Sequence, residues 1–214
     1  MMVMNGENVQ CHVEVDNVQL EQVSEFKYLG YMIEKKGKDD VECSRKVSNG
    51  RRVAGAIKSL VNAKNLSLKC TRRLHESMLV PVLMYGSEVT VWCEKNRSRI
   101  QAVQMDNLRG VLGVRKTDKM RNEYIREMCG VVKGVIERIN ESILRWFGHM
   151  ERMDENRLVK KMYRGECVGD RTVGRPKLRW IDSVKKCLKV RNVSLPEARR
   201  MVHNREEWLD FCGG

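Results

Sequence analysis

No apolar run in this 214-residue chain approaches the roughly 20 residues that span a bilayer, and the N-terminus shows no signal-peptide pattern. The expectation is a soluble, intracellular protein with no membrane partner; nucleus and cytoplasm are not distinguished. The eight cysteines, at positions 11, 43, 70, 93, 129, 167, 187 and 212, include no Cys-X-X-Cys pair. They read as reduced, separately buried thiols. Cys129, His149 and Cys167 can be drawn together as a zinc site, but neither the spacing nor a fourth ligand supports it. A Ser-His-Asp grouping, a His-Glu-X-X-His motif and a phosphate-binding Gly-Lys-Ser/Thr loop are all missing. The residues therefore offer no catalytic machinery and call for no metal or cofactor.

Acidic side chains are scarce in residues 43–84. Residues 1–42 carry 4 basic and 9 acidic side chains, whereas residues 43–84 carry 9 and 1. The total is 41 basic against 28 acidic, a formal charge of +13. A basic excess spread over helices favours a phosphate-bearing partner, RNA or DNA ahead of an anionic membrane. The competing explanation is a solvated basic surface.

The most regular stretch is Arg138–Arg152. Its apolar residues Ile139, Ile143, Trp146, Phe147 and Met150, with Met153 beyond, recur every three or four positions and predict an amphipathic helix. Arg138, Arg145 and Arg152 recur every seven residues, so they form a cationic stripe beside that face. A lone histidine at such an apolar edge, His149, is read as a hydrogen-bonded core residue. Trp146, Trp180 and Trp208 are read as core anchors of three helices rather than stacking platforms.

Before this helix, Val13 and Val15 alternate up to Asp16-Asn17 and Val18 and Leu20 after it, a hairpin signal. Phe26 to Ile33 predicts a third strand interrupted by Gly30, at a bulge or a close backbone approach. Asp39 or Asp40 caps a helix with Val47, Val53, Ile57 and Leu60 on one side and Arg45, Lys46, Arg51, Arg52 and Lys58 on another. Read as a magnesium-holding pair, Asp39-Asp40 lacks the expected tight hairpin between apolar strands. Ser67 opens a second helix that Pro81 ends or kinks, Arg97–Leu112 forms a third closed by Gly113, and residues 122–129 a short one ending at Gly130. A helix carrying Leu158, Met162 and Tyr163 stops at Gly165, and the Gly- and Pro-rich residues 165–176 form the best linker candidate. Beyond it, Trp180, Val184 and Leu188 share a helix, and Ser194-Leu195-Pro196-Glu197 is a capping box opening the last one, with Met201, Val202, Trp208 and Phe211 inward. The linker's Gly174-Arg175-Pro176 is half of an AT-hook, since Val173 stands where that motif wants arginine. Phosphate contact by Arg171, Arg175, Lys177 and Arg179 is the better reading.

Five stretches in order, Phe26-Lys27-Tyr28-Leu29-Gly30, Val80 to Glu88, Leu108 to Gly113, Arg145 to Met153 and Gly174 to Trp180, resemble the C-terminal part of LINE-type, non-LTR retrotransposon reverse transcriptases. The resemblance covers roughly residues 11 to 212. It implies the end of a polymerase palm, a helical thumb and a basic tail that handles RNA or DNA. In that family the catalytic Tyr-X-Asp-Asp hairpin, with its magnesium, precedes the Phe-Lys-Tyr-Leu-Gly stretch. Asp39-Asp40 follows it and does not stand in for the pair.

The combined expectation is a mainly α protein: a thumb-like helical bundle with a small N-terminal antiparallel β-sheet and a helical C-terminal tail. Its regions are a strand remnant (1–38), thumb-like helices (39–113), a central helical region (114–164), a basic loop (165–176) and a helical tail (177–214). The resemblance implies a transposon-derived fragment, inactive alone, that binds nucleic acid and has the polymerase core as a second partner. The alternative is a domesticated protein-interaction module. The nucleic-acid contacts are assigned to Arg45, Arg51, Arg52, Lys58, Arg138, Arg145, Arg152, Arg171, Arg175, Lys177 and Arg179.

Overall fold

The computed structural model describes residues 2, 11–35, 37, 39–165 and 178–213. The mainly helical class expected from the periodicity is what is found, with two small antiparallel hairpins at the N-terminal end. The chain divides into two compact units, residues 1–83 with 94–130, and residues 84–93 with 131–214.

In the first unit, β1 (Glu14–Val15) and β2 (Val18–Gln19) pair across Asp16 and Asn17, both at positive φ, as the primed two-residue turn demands. The expected third strand is instead a second hairpin. β3 (Glu25–Tyr28) pairs with β4 (Tyr31–Glu34), and Leu29 and Gly30 at φ 45° and 81° make the turn. Gly30 is thus a turn residue and not a bulge, and the two hairpins remain separate two-stranded sheets. Period-two alternation runs through a tight turn unchanged, so it does not distinguish one long strand from two short ones.

Helix α1 (Asp40–Lys64) follows, with Asp39 at its N-cap position. The side-chain cap expected of Asp39 or Asp40 is not made. The Asp39 carboxylate accepts the Tyr31 hydroxyl at 2.8 Å, and Asp40 accepts the Asn96 amide at 3.0 Å. These two bonds point the carboxylates at different partners. Below them the fully buried Glu42 gathers Arg45 (2.8 Å to each oxygen), the Met32 N–H (2.9 Å) and the buried Lys46 (3.5 Å). A cluster of charges thereby ties β4 to α1.

Helix α2 (Leu68–Leu74) opens on Ser67, whose hydroxyl accepts the Cys70 N–H. Pro81 does not end this helix: a π-helical turn over His75–Leu79 leads straight into α3 (Val80–Met84). The widened turn relieves the clash of the proline ring with the carbonyl one turn earlier. α4 (Glu94–Leu112), closed by Gly113 in the left-handed region, packs along α1. Gly50 permits the close approach, because a Cβ there would lie 2.7 Å from Leu83 Cδ2 and 3.0 Å from Val103 Cγ1. Ile57, Ile100, Leu108 and Ile125 of the short α5 (Asn122–Met128) complete this core.

The second unit is built on α6 (Val135–Glu151). Gly134 is its N-cap, and the Glu137 carboxylate accepts the Gly134 N–H at 3.1 Å. Its C-terminal carbonyls are closed from the next helix, α7 (Leu158–Arg164). The buried Lys160 donates to the carbonyls of Met150 (2.9 Å) and Glu151 (2.6 Å), where a cation suits the helix dipole. Leu158 and Met162, the apolar residues that suggested α7, are exposed. Helix α8 (Trp180–Val190) packs Val184 and Leu188 against α6, and the Trp180 indole N–H donates to Glu88 O at 2.7 Å. The final helix is two, α9 (Leu195–Met201), opened by the expected capping box, and α10 (Arg205–Cys212), with Asn204 accepting the Glu207 N–H. Two Asx/Ser caps ten residues apart were the sequence signal for that break.

Of the described cysteines, which are free thiols, Cys43, Cys129, Cys187 and Cys212 are buried, whereas Cys70 is exposed and Cys11 and Cys93 are half-buried. Cys167 lies outside the described residues. Burial pushes the Cys212 thiol up to about 11 despite the opposing charge of Arg191, which keeps it protonated at neutral pH.

Between α6, α7 and α9, Tyr163 donates to Glu151 at 2.7 Å and Arg199 Nε donates to the same oxygen at 3.1 Å. Desolvation, the largest influence, pushes the phenol up to about 12; Arg199 opposes this and Glu151 reinforces it. An unfolded tyrosine ionises near 10. The native state therefore holds this proton when the unfolded chain has lost it, and the contribution, complete below pH 10, disappears between about pH 10 and 12. Alkaline titration at 295 nm should show a late-ionising phenol that Tyr163→Phe removes, and the variant's stability should fall less steeply over that interval.

Candidate nucleic-acid interface

Helix α1 turns one side to Glu42, Val47 and Ile57 and leaves Arg51, Arg52 and Lys58 exposed. Arg51 and Lys58 are two turns apart, about 10 Å along the axis, and so share a face. Gly55 stands between them, and a Cβ added there would meet nothing within 4 Å. A phosphate backbone can therefore reach the helix surface without a side chain in its way. The Arg52 guanidinium donates to Asn49 at 2.8 Å, which orients it and leaves further N–H groups outward. Lys46, expected on the same basic face, is buried 3.5 Å from Glu42, and Arg45 is bound by Glu42 through both oxygens. The Arg45 charge is matched within the fold.

The cationic stripe of α6 is likewise tied to its own unit. Arg138 is half-buried. Arg145 lies 3.7 Å from Glu141, which also pairs with Lys133 at 2.9 Å, and approaches Gly213 O at 3.5 Å. Arg152 donates to Val202 O at 2.9 Å. A seven-residue spacing shows that these arginines share a face; it does not show that the carbonyl-rich ends of α9 and α10 lie against that face. Arg179 is exposed just before α8, and its backbone N–H donates to Asp182 at 2.9 Å. Arg171, Arg175, Lys177 and the half AT-hook around Gly174 lie outside the described residues.

Two expectations for aromatic and imidazole groups are overturned. His149 is exposed, not a core residue, and its ring rests against Trp146 with centroids 5.3 Å apart. Trp146 and Trp180 are only half-buried, whereas Trp208 is fully buried. Lys185 and Lys189 of α8 are further exposed cations, beside the buried Val184 and Leu188. Among the described residues no three His, Cys, Asp or Glu side chains stand together as a metal-ligand set, and no helix is long and apolar enough to cross a membrane.

The chain is 27% identical over 203 residues to an uncharacterized protein of Caenorhabditis elegans described as transposon-derived, across 89% of this chain and 71% of that one. No family model matches the chain. No solved structure matches it either.

Proposed function

We propose that this chain is a transposon-derived C-terminal region of an RNA-directed DNA polymerase whose role is to bind nucleic acid, the polymerase's catalytic carboxylates lying elsewhere. The observation that carries the reading is the α1 face: Arg51, Arg52 and Lys58 exposed around an open Gly55, in a stretch of 9 basic and 1 acidic residues. The transposon-derived relative supports the origin. Asp39 and Asp40 are each hydrogen-bonded to a different side chain, which supports a structural role for the pair.

Fluorescence anisotropy with labelled single-stranded RNA and duplex DNA tests the proposal. Each phosphate contact releases counterions, so the logarithm of affinity falls with the logarithm of salt by about 0.9 per contact on duplex and about 0.7 on single strands. Replacing Arg51, Arg52 and Lys58 together by glutamine should flatten the slope by about two to three units while leaving the folding transition in place. A wild-type protein that binds neither polymer at low salt would move the protein-interaction reading ahead. That alternative has its own support in the exposed Val13, Val15, Val18, Phe26, Tyr28 and Leu29 of the hairpins.

A further inference from the structure

We infer that the concavity just beyond α6 is a nucleotide site for single-stranded nucleic acid, in which His149 stacks on a base and Arg157 and Arg152 hold the adjoining phosphate. The inference rests on the nucleic-acid reading above and names the part of the ligand that this place receives.

The concavity has a volume of about 590 Å³ and is lined by His149, Arg152, Met153, Asp154, Asn156 and Arg157. It is shallow and open to solvent. His149 projects from the last turn of α6 into solvent, and Trp146, one turn back, supports the ring at 5.3 Å with the planes inclined by 35°. A backed imidazole is held ready for a second ring at little cost in side-chain entropy. The guanidinium of Arg152 is positioned by its bond to Val202 O, which engages one of its five N–H donors.

Arg157 is different from its cationic neighbours. Lys160 is met by Glu151 and Glu155, Arg164 by Glu155 and Arg199 by Glu151. Arg157 is exposed and has no acidic partner among the described residues, so its fork is open to an anion. Asp154 is the one carboxylate on the lining, and it is already engaged by the Asn156 N–H at 2.7 Å, which folds the turn. That bond leaves the Asn156 side-chain amide on the same wall, where it can reach a base edge. A π-face, an amide and two guanidinium groups around one cavity match a nucleotide whose base is unstacked. A duplex keeps its bases stacked and does not present one.

The test follows the histidine ring resonances of the full chain by NMR, with His149→Ala assigning one of the four histidines. Adenosine monophosphate should shift the His149 ring protons upfield, ribose 5-phosphate should shift them far less, and Arg157→Ala should weaken the response to both. On oligonucleotides, His149→Ala should weaken binding of a base-bearing single strand by about five- to a hundredfold and leave an abasic strand of equal length unchanged. No movement of the His149 resonance at millimolar adenosine monophosphate, or equal movement with ribose 5-phosphate, overturns the site. If oligonucleotides bind with the expected salt slope and His149 stays silent, only this inference fails. If His149 responds to the mononucleotide while no polymer binds at low salt, the nucleotide site stands and the nucleic-acid role falls.

Discussion

Trp208→Ala lowers the stability of the unit built on α6 by about 3–5 kcal/mol. The indole is fully buried, its N–H donates to Leu144 O at 3.1 Å, and its rings lie against Phe147 and Phe211 at 5.8 and 5.2 Å. The space it occupies exists because residue 148 is glycine. A Cβ at Gly148 would overlap the indole nitrogen and stand 2.5 Å from Cδ1. Gly148→Ala therefore drives the indole or the helix aside, at a cost of about 1–3 kcal/mol. The two substitutions share one space, so the double variant should cost clearly less than their sum. Urea unfolding followed by circular dichroism measures all three. A Gly148→Ala protein within 0.5 kcal/mol of the parent would show that α6 and α10 do not meet at this point.

Glu42→Gln has the second large effect, a loss of about 3–5 kcal/mol from the other unit. The carboxylate is fully buried and serves Arg45, Lys46 and the Met32 N–H at once, while Lys46 is only 1% exposed and stands 5.8 Å from the Tyr31 ring centroid. An amide keeps the shape and one acceptor, but it points donors at donors and leaves the Lys46 ammonium without its anion. Replacing both charges, Glu42→Leu with Lys46→Met, removes the uncompensated ion and should recover most of the loss. Detachment of β3 and β4 from α1 would accompany the single substitution, visible as faster amide exchange at Met32. If Glu42→Gln unfolds with the parent, water screens the pair and the cluster does not hold the hairpin.

Much of the local structure was legible from residue order alone. The repeat of Ile139, Ile143, Phe147 and Met150 marks α6, the Ser194–Glu197 box opens α9, and Gly113 and Gly130 close two helices at positive φ. These signals are short-range: a helical period, a cap and a left-handed glycine each depend on neighbours within one or two turns. Charge distribution belongs to the same class, since the basic excess after residue 42 is a property of composition. Apolar core positions such as Ile57, Ile143, Phe147, Leu188 and Trp208 were legible in the same way, but the buried charged side chains were not. Lys46 and Lys160 carry the most soluble of side chains yet lie in the interior, Lys46 against the buried Glu42 of its own helix and Lys160 against the terminal carbonyls of α6. His149 sits one position from the apolar stripe of α6 and turns outward.

The sequence by itself determined the helical class, the main helix limits and the sign of the surface charge. Tertiary structure alone decided which arginines remain available to an anion. Arg51, Arg52 and Lys58 carry the same charge as Arg45 and Arg145, but the last two meet Glu42 and Glu141, whereas Arg152 gives one donor to the neutral Val202 O and keeps its charge. Glu42 is a helical neighbour of Arg45 and Glu141 of Arg145, so two of these pairings were possible from spacing. Only burial made the first strong, and only the docking of α9 brought a carbonyl 50 residues away to Arg152. Periodicity states which side chains share a face. What that face meets depends on contacts between residues distant in sequence, whose geometry no local pattern encodes.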